Sequence, residues 1–420
     1  MRISLHRKEA LRTNLWFVPA WLVAGAVVVF FATYALDRSG ALVPGLLNTV
    51  GVDAARQILT AIAAAVITVV GLVFSIVIVA LTLASTQFGP RMLRNFIRDR
   101  GTQFTLGIFV ATFVYSVLAL GAVAHGGTSF VPHLSLSVAL GLVIADSGVL
   151  IYFIHHIAHS IQLPVVIAGI AADLKRAIDI HAGGPDEQLP EIRDAAPVHA
   201  RTSGYLQFVE HERLVRIAVE QDALVSLLYR PGHFVSNGST FAMVTPPAAA
   251  EAFAHELDRA HITGPSRTLA QDLTFAIDQM VEIAIRALSP AVNDTFTAMT
   301  CIDWLGDGLS DITIRGLHTH VHRDSSGRVR VIEAPIPYER IVDRAFDKVR
   351  QAGRGMPAIA IRQLAMLARV MQGATTDEQR EVLRSQADMI MRASEESVPE
   401  RNDLDDIRRR YDAVVLASEA

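Results

Sequence analysis

The sequence predicts an α-helical membrane protein with four transmembrane helices, followed by an α+β cytoplasmic domain made of a small β barrel-like module plus helices. Three observations predict it. The 420 residues are 51% apolar, high for a soluble chain of this length. Charge divides unevenly: ten Lys/Arg against five Asp/Glu up to residue 170, and 28 against 37 beyond it, net +5 and −9. No Lys or Arg stands between Arg100 and Lys175, where Asp146 and Asp173 are the only acids, a pattern that a water-soluble domain does not sustain. A purely soluble enzyme is thereby excluded.

Residues 1–161 form the expected four-span domain. A hydrocarbon core of about 30 Å takes roughly 20 helical residues, and Phe17 to Leu36, Ile58 to Ala84, Phe104 to Ala124 and Leu134 to Ile157 meet that length. The first run follows Arg7, Lys8 and Arg12 as a secretory signal does, but it exceeds the usual signal core and is read as retained. Orientation follows from the basic residues, which stay on the cytoplasmic side. Arg2, Arg7, Lys8 and Arg12 precede the first span, and Arg91, Arg94, Arg98 and Arg100 lie between the second and third. The loop from His125 to His133 carries no Lys or Arg. Both termini are therefore expected in the cytoplasm of a bacterial inner membrane, the Arg-rich, Lys-poor composition suggesting a GC-rich bacterial genome.

Within the second span, Ala64, Thr68, Gly71, Ser75 and Thr82 fall on one helical face. Small and hydroxyl side chains suit close helix packing, and they also suit the lining of a permeation path. Asp146 stands at the middle of the fourth span, where an ionisable group costs about 2.5–3.5 kcal/mol and needs a partner. Tyr115, at the midpoint of the third span, is the expected one. A neutral Asp locking two helices and a proton or cation site are both open readings. His155, His156 and His159 close the fourth span; interfacial rings beside Tyr152 explain them, with a metal site the weaker alternative.

Residues 162–197 read as a linker, with Pro164 as a bend, a short helix from Leu174 to His181 and then Gly183, Gly184, Pro185, Pro190 and Pro197. Residues 198–250 read as a small β module, with strand-like runs at Tyr205 to Val209, Leu214 to Val219, Val225 to Tyr229 and Phe241 to Val244. Its Pro231 to Gly238 stretch resembles the hairpin of biotinyl and lipoyl modules. No Lys lies between residues 176 and 347, so no such group can be attached.

Residues 251–420 read as mainly helical, with a hairpin near 317–333. Leu269, Leu273, Ile277, Met280 and Leu288 give one helix its apolar face, opposite a solvated stripe of Asp272, Gln279, Glu282 and Arg286. Asn293 or Asp294 caps the next helix. Asp272, Glu282, Asn293, Asp294 and Asp303 could together hold a cation, although capping and ion pairing explain most of them. His318, His320 and His322 alternate on the hairpin, as on an exposed strand face or a weaker metal patch. Three or four amphipathic helices run from Tyr338 to Leu416, and Arg408, Arg409 and Arg410 form a solvated face.

The single cysteine, Cys301, forbids an intramolecular disulfide, and the acidic C-terminal part argues against nucleic acid. Three lysines, Lys8, Lys175 and Lys348, leave almost no candidate for lysine chemistry. No phosphate loop, nucleophile elbow or dinucleotide fingerprint occurs, so no enzyme activity, catalytic residue or cofactor is expected.

Leu83 to Arg100 (LASTQFGPRMLRNFIRDR), Tyr152 to Gln162 (YFIHHIAHSIQ) and Asp272 to Asp303, centred on RALSPAVNDTFTA, together resemble an uncharacterised bacterial family of predicted membrane proteins, the domain of unknown function 2254. Thr295 stands where the family pattern tends to have Pro, and the HTHVH run at 318–322 is outside it. The resemblance implies architecture and no activity. From the residues, the expected function is an oligomeric ion channel or transporter gated by its cytoplasmic domain, with Thr68, Gly71, Ser75 and Thr82 along the path and Arg91, Arg94, Arg98 and Arg100 at its mouth. The alternative is a non-conducting scaffold or sensor whose arginines contact lipid. The expected partners are the bilayer and further copies of the chain.

Overall fold

The computed structural model describes residues 16–39, 50–89, 99–125, 130–183, 189–190, 192–317 and 320–419. It divides into two compact units, 1–166 and 167–420.

Four helices long and apolar enough to cross a membrane make up the first unit: α1 (Phe17–Arg38), α2 (Val52–Phe88), α3 (Arg100–His125) and α4 (His133–Ser160). Each extends past its apolar run because neighbouring polar residues continue the helix into the interface. At 37 residues, α2 is about 55 Å long, well beyond the hydrocarbon thickness. The hub is α3, which packs on the other three and buries Phe109, Tyr115 and Ala119 between them.

A polar network ties α1 and α4 to this hub. Asp37 accepts from the amides of Leu134 (2.9 Å) and Ser135 (3.0 Å) and from the Ser135 hydroxyl (2.7 Å). The carboxylate thus caps the start of α4, where amides lack intrahelical partners and the helix dipole favours negative charge. Thr33 Oγ1 lies 2.9 Å from the Tyr115 hydroxyl and 3.1 Å from Ser135 Oγ. Asp37→Ala is expected to cost about 0.5–2 kcal/mol, read as a lowered Tm of the full chain in detergent; an unchanged Tm overturns the capping role.

The second unit opens within α5 (Leu163–His181), so the stretch expected as a linker begins as a helix. Pro164 occupies its first turn, where proline is tolerated. Ile167, Ile170, Leu174 and Ile178 are buried at helical spacing, and Leu174 and Ile178 pack against Gly308.

Next come β1 (Ala196–His199), β2 (Gly204–Val209), α6 (His211–Glu220), β3 (Leu224–Leu227), β4 (Phe234–Val235), β5 (Thr240–Thr245), α7 (Ala250–Ala260) and β6 (His261–Gly264). Two corrections arise here. The strand-like run Leu214 to Val219 belongs to α6, whose buried Leu214, Ile217 and Ala218 follow a helical repeat. And the β region is not a closed barrel; it forms two sheets, ordered β1-β5-β3-β8-β7 and β4-β2-β6.

The larger sheet takes two strands from far along the chain, β7 (Val321–Arg323) and β8 (Val329–Glu333). β8 pairs in parallel with β3, Val225 opposite Val331 and Leu227 opposite Glu333, while the other pairings are antiparallel. Val331 therefore joins Leu206, Leu214, Phe241 and Phe253 in the core. A helical layer completes the unit: α8 (Leu273–Ala287), α9 (Thr295–Arg315), α10 (Tyr338–Ala352), α11 (Pro357–Met371), α12 (Asp377–Ser397) and α13 (Arg401–Glu419). α8 packs on α9 and α10, and α11 on α9, α12 and α13.

Candidate functional site

On α2, the residues Ala64, Thr68, Gly71, Ser75 and Thr82 are all exposed, turned away from the chain's own bundle, whose buried α2 positions are instead Leu59, Val66, Val73 and Val77. Packing within the chain does not account for this face. Each hydroxyl donates to the carbonyl four residues earlier: Thr68 to Ala64 (2.7 Å), Ser75 to Gly71 (2.9 Å) and Thr82 to Ile78 (2.9 Å). Their protons are satisfied within the helix, leaving oxygen lone pairs outward.

Asp146 is buried, as an intramembrane acid must be, but its partner is not Tyr115. Thr112, one turn earlier on α3, donates to Asp146 Oδ1 at 3.2 Å, and the buried Oδ2 has no hydrogen-bond partner among the described residues. Equal depth suggested Tyr115; its longer side chain reaches Thr33 and the Ser135 carbonyl instead.

The three histidines of α4 divide by face. His155 and His159 are exposed and stack on each other, ring centroids 6.4 Å apart. His156 stacks on Tyr152 and contacts Asp99 Oδ2 through Nε2 at 2.7 Å. Asp99 also caps α3, accepting from the Thr102 amide (2.8 Å) and hydroxyl (2.7 Å). Burial pushes its carboxyl up, but the Thr102 and His156 hydrogen bonds outweigh that and hold it below its ordinary value. Gly101 lets the helices approach: a Cβ there would stand 2.5 Å from His156 Nε2. Arg100 is exposed at the start of α3, whereas Arg91, Arg94 and Arg98 lie outside the described residues.

In the second unit, the acids weighed as a cation cluster are dispersed. Asp294 caps α9 through the Thr297 amide (3.0 Å) and hydroxyl (2.6 Å), and Asp303 pairs with Arg362. Asp272 and Gln279, expected on a solvated stripe, are buried. Asp272 caps α8 through the Phe275 amide (3.1 Å) and takes two hydrogen bonds from Arg267, at 2.7 and 2.9 Å. Arg267 also bonds Asp278 and Thr274. Gly232, at φ +97°, is required beside them, since a Cβ would meet the Asp272 carboxylate at 2.2 Å.

The alternating histidines do not form a simple exposed face. His318 lies outside the described residues. His320 is half-buried against His181, its Nε2 enclosed with no hydrogen-bond partner among the described residues. His322, on β7, stacks on His211, the first residue of α6, at 4.0 Å between centroids and 6° between planes. Both Nε2 atoms meet Oε1 of Glu333, the last residue of β8, that of His322 at 3.2 Å. Burial pushes Glu333 up, but hydrogen bonds from the two imidazoles outweigh it and hold it well below the usual carboxylate range. His211 and Glu333 went unnoticed in the sequence because neither belongs to a local histidine run; the His322 alternation was the only signal.

Residues 12–369 match the family of predicted membrane proteins called domain of unknown function 2254 (DUF2254). The chain belongs to the DUF2254 family. Over 423 aligned residues, covering 95% of this chain and 80% of theirs, it is 30% identical to uncharacterised proteins of Mycobacterium bovis and Mycobacterium tuberculosis. No solved structure matches this DUF2254 protein. Two of the stretches that carry the family resemblance meet in the first unit, where Asp99 of one contacts His156 of the other. The third supplies the caps Asp272 and Asp294 that start α8 and α9.

Proposed function

We propose that this membrane protein is an oligomeric ion channel or transporter of the bacterial inner membrane, both termini cytoplasmic, regulated by its C-terminal unit. The observation that carries the reading is the outward turn of the small, hydroxyl-bearing face of α2. From Ala64 to Thr82 it covers about 27 Å, close to the hydrocarbon thickness. Within an oligomer, a face of that length can meet another copy's helices or a water-filled path, where outward hydroxyl oxygens offer lone pairs to a cation or water, while the exposed Leu72, Phe74 and Val79 suit lipid. The basic residues flanking the spans support the orientation, and the buried Asp146 supports an ion or proton site between α3 and α4.

Reconstituted into liposomes, the protein is expected to pass ions, and Ser75→Leu to abolish that flux while leaving the oligomer intact. Asp146→Asn is expected to remove any dependence of flux on pH. Absence of flux for monovalent cations and anions in either direction overturns the proposal in favour of a non-conducting scaffold, in which the same face packs helix against helix between copies.

A further inference from the structure

We propose that His211, His322 and Glu333 form a binding site for a divalent transition-metal ion, with zinc as its representative. The inference is independent of whether the chain conducts ions. The three residues come from separate elements, yet their ligand atoms all lie within 4.8 Å of one another. In a tetrahedral zinc site, metal–ligand distances of about 2.0–2.2 Å place neighbouring ligand atoms about 3.3 Å apart. The 3.2 Å between His322 Nε2 and Glu333 Oε1 fits that spacing, whereas His211 Nε2 lies closer to the same oxygen and would move back to admit the ion.

A purely hydrogen-bonded cluster accounts less well for the arrangement. Two imidazoles present the same nitrogen to one carboxylate oxygen, with their rings parallel at 4.0 Å. Held by hydrogen bonds alone, both rings must spend their Nε2–H on the same oxygen of one buried carboxylate. A divalent ion instead takes a lone pair from each neutral imidazole and one from the carboxylate, and its charge is shared by all three groups. Glu333, 8% exposed, is an acid that needs such compensation in the interior.

The donors are held by rigid structure. His211 begins α6, which packs across β7 and β8, and the ladder between those strands, Val321 opposite Ile332 and His322 opposite Val331, puts His322 diagonal to Glu333 on one face. Sites on helices and strands hold ligand geometry better than loops do. Two imidazoles and one carboxylate suit zinc, nickel, cobalt or ferrous iron; magnesium and calcium prefer all-oxygen sets. Three protein ligands leave a coordination position open. A groove of about 780 Å³, lined by His211 and His322 together with Arg216 and Asp324, runs beside the two imidazoles.

The test uses the full chain, purified in detergent without a polyhistidine tag, stripped with chelator and titrated with Zn2+ and, separately, Co2+. One equivalent per chain is expected, with visible Co2+ absorption bands, no competition from millimolar Mg2+ or Ca2+, and a Tm raised by Zn2+. His322→Asn and Glu333→Gln are each expected to weaken Zn2+ binding by more than about tenfold, the least that even outer-shell changes cost. His211→Asn, at a helix start that accepts Asn, serves as a third ligand variant; Tm in chelator checks that each variant folds. The double variant His155→Asn/His159→Asn is expected to keep full stoichiometry. Absence of saturable binding, binding unchanged in all three ligand variants, or binding lost with His155 and His159 overturns the site.

Discussion

Arg267→Met is expected to destabilise the C-terminal unit by about 3–5 kcal/mol, the scale observed when one partner of a buried ion pair is removed. Arg267 is 16% exposed and Asp272 2% exposed in their side chains, so the aspartate left behind cannot recover hydration. Arg267 also bridges to Asp278 and lies over the Phe275 ring, 5.2 Å from its centroid, so one substitution removes an ion pair, a cation–π contact and a support of the α8 cap. Burial opposes the guanidinium charge, but Asp272 and Asp278 outweigh it and raise Arg267 above its ordinary pKa.

Cys301 provides a readout independent of Tm. It is fully buried on α9, and burial pushes its thiol up to about 12, so the native thiol resists alkylation until the unit opens. If opening precedes labelling in rapid equilibrium, a loss of 3–5 kcal/mol speeds alkylation by about two to three and a half orders of magnitude. Arg267→Met/Asp272→Asn is expected to cost less than the two single changes together, because the uncompensated charge is gone. A Tm and a labelling rate both unchanged in Arg267→Met would falsify this role.

Lowering the pH from 7.5 to 5 is expected to destabilise the same unit, and His233→Gln to remove part of that loss. Burial first, then the neighbouring Arg230, with smaller contributions from Arg267 and Arg344, lowers His233 to about 4 against the opposing pull of Asp272. His261 is lowered too, chiefly by burial. A base with a depressed folded pKa is neutral in the native state and protonated when unfolded through the interval below its ordinary value near 6.5. Its contribution is complete above about pH 6.5 and is lost as pH falls toward 4. For His233 the loss is on the order of 2–3 kcal/mol. Paired carboxylates such as Glu333, Asp294 and Glu256 lie below their ordinary values, so their contributions fade only in more acidic solution and leave this interval to the histidines. Tm measured in chelator across pH 4.5–7.5 decides the matter: equal slopes for the wild type and His233→Gln contradict the assignment.

The amino-acid sequence by itself determined what depends on neighbours along the chain. The four spans follow from the length of continuous apolar runs, and three or four C-terminal helices from a repeat read over a few turns, where the structure has four. A cap at Asn293 or Asp294 was equally legible, because a cap acts within three residues of its own position, and the structure selects Asp294. Local reading failed where two states share a pattern: the β-branched content of Leu214 to Val219 suggested a strand, but burial of Leu214, Ile217 and Ala218 against α7 and the sheet selected a helix. It also failed where the partner lies far away in the chain. Tertiary structure alone decided that Thr112 meets Asp146, that the hydroxyl face of α2 turns outward, and that β8 docks beside β3 to bring Glu333 against the Nε2 atoms of His211 and His322. Periodicity states which face of an element is apolar or polar, whereas the partner that face meets is selected by the packing of all the elements together, for which no short stretch carries a signal.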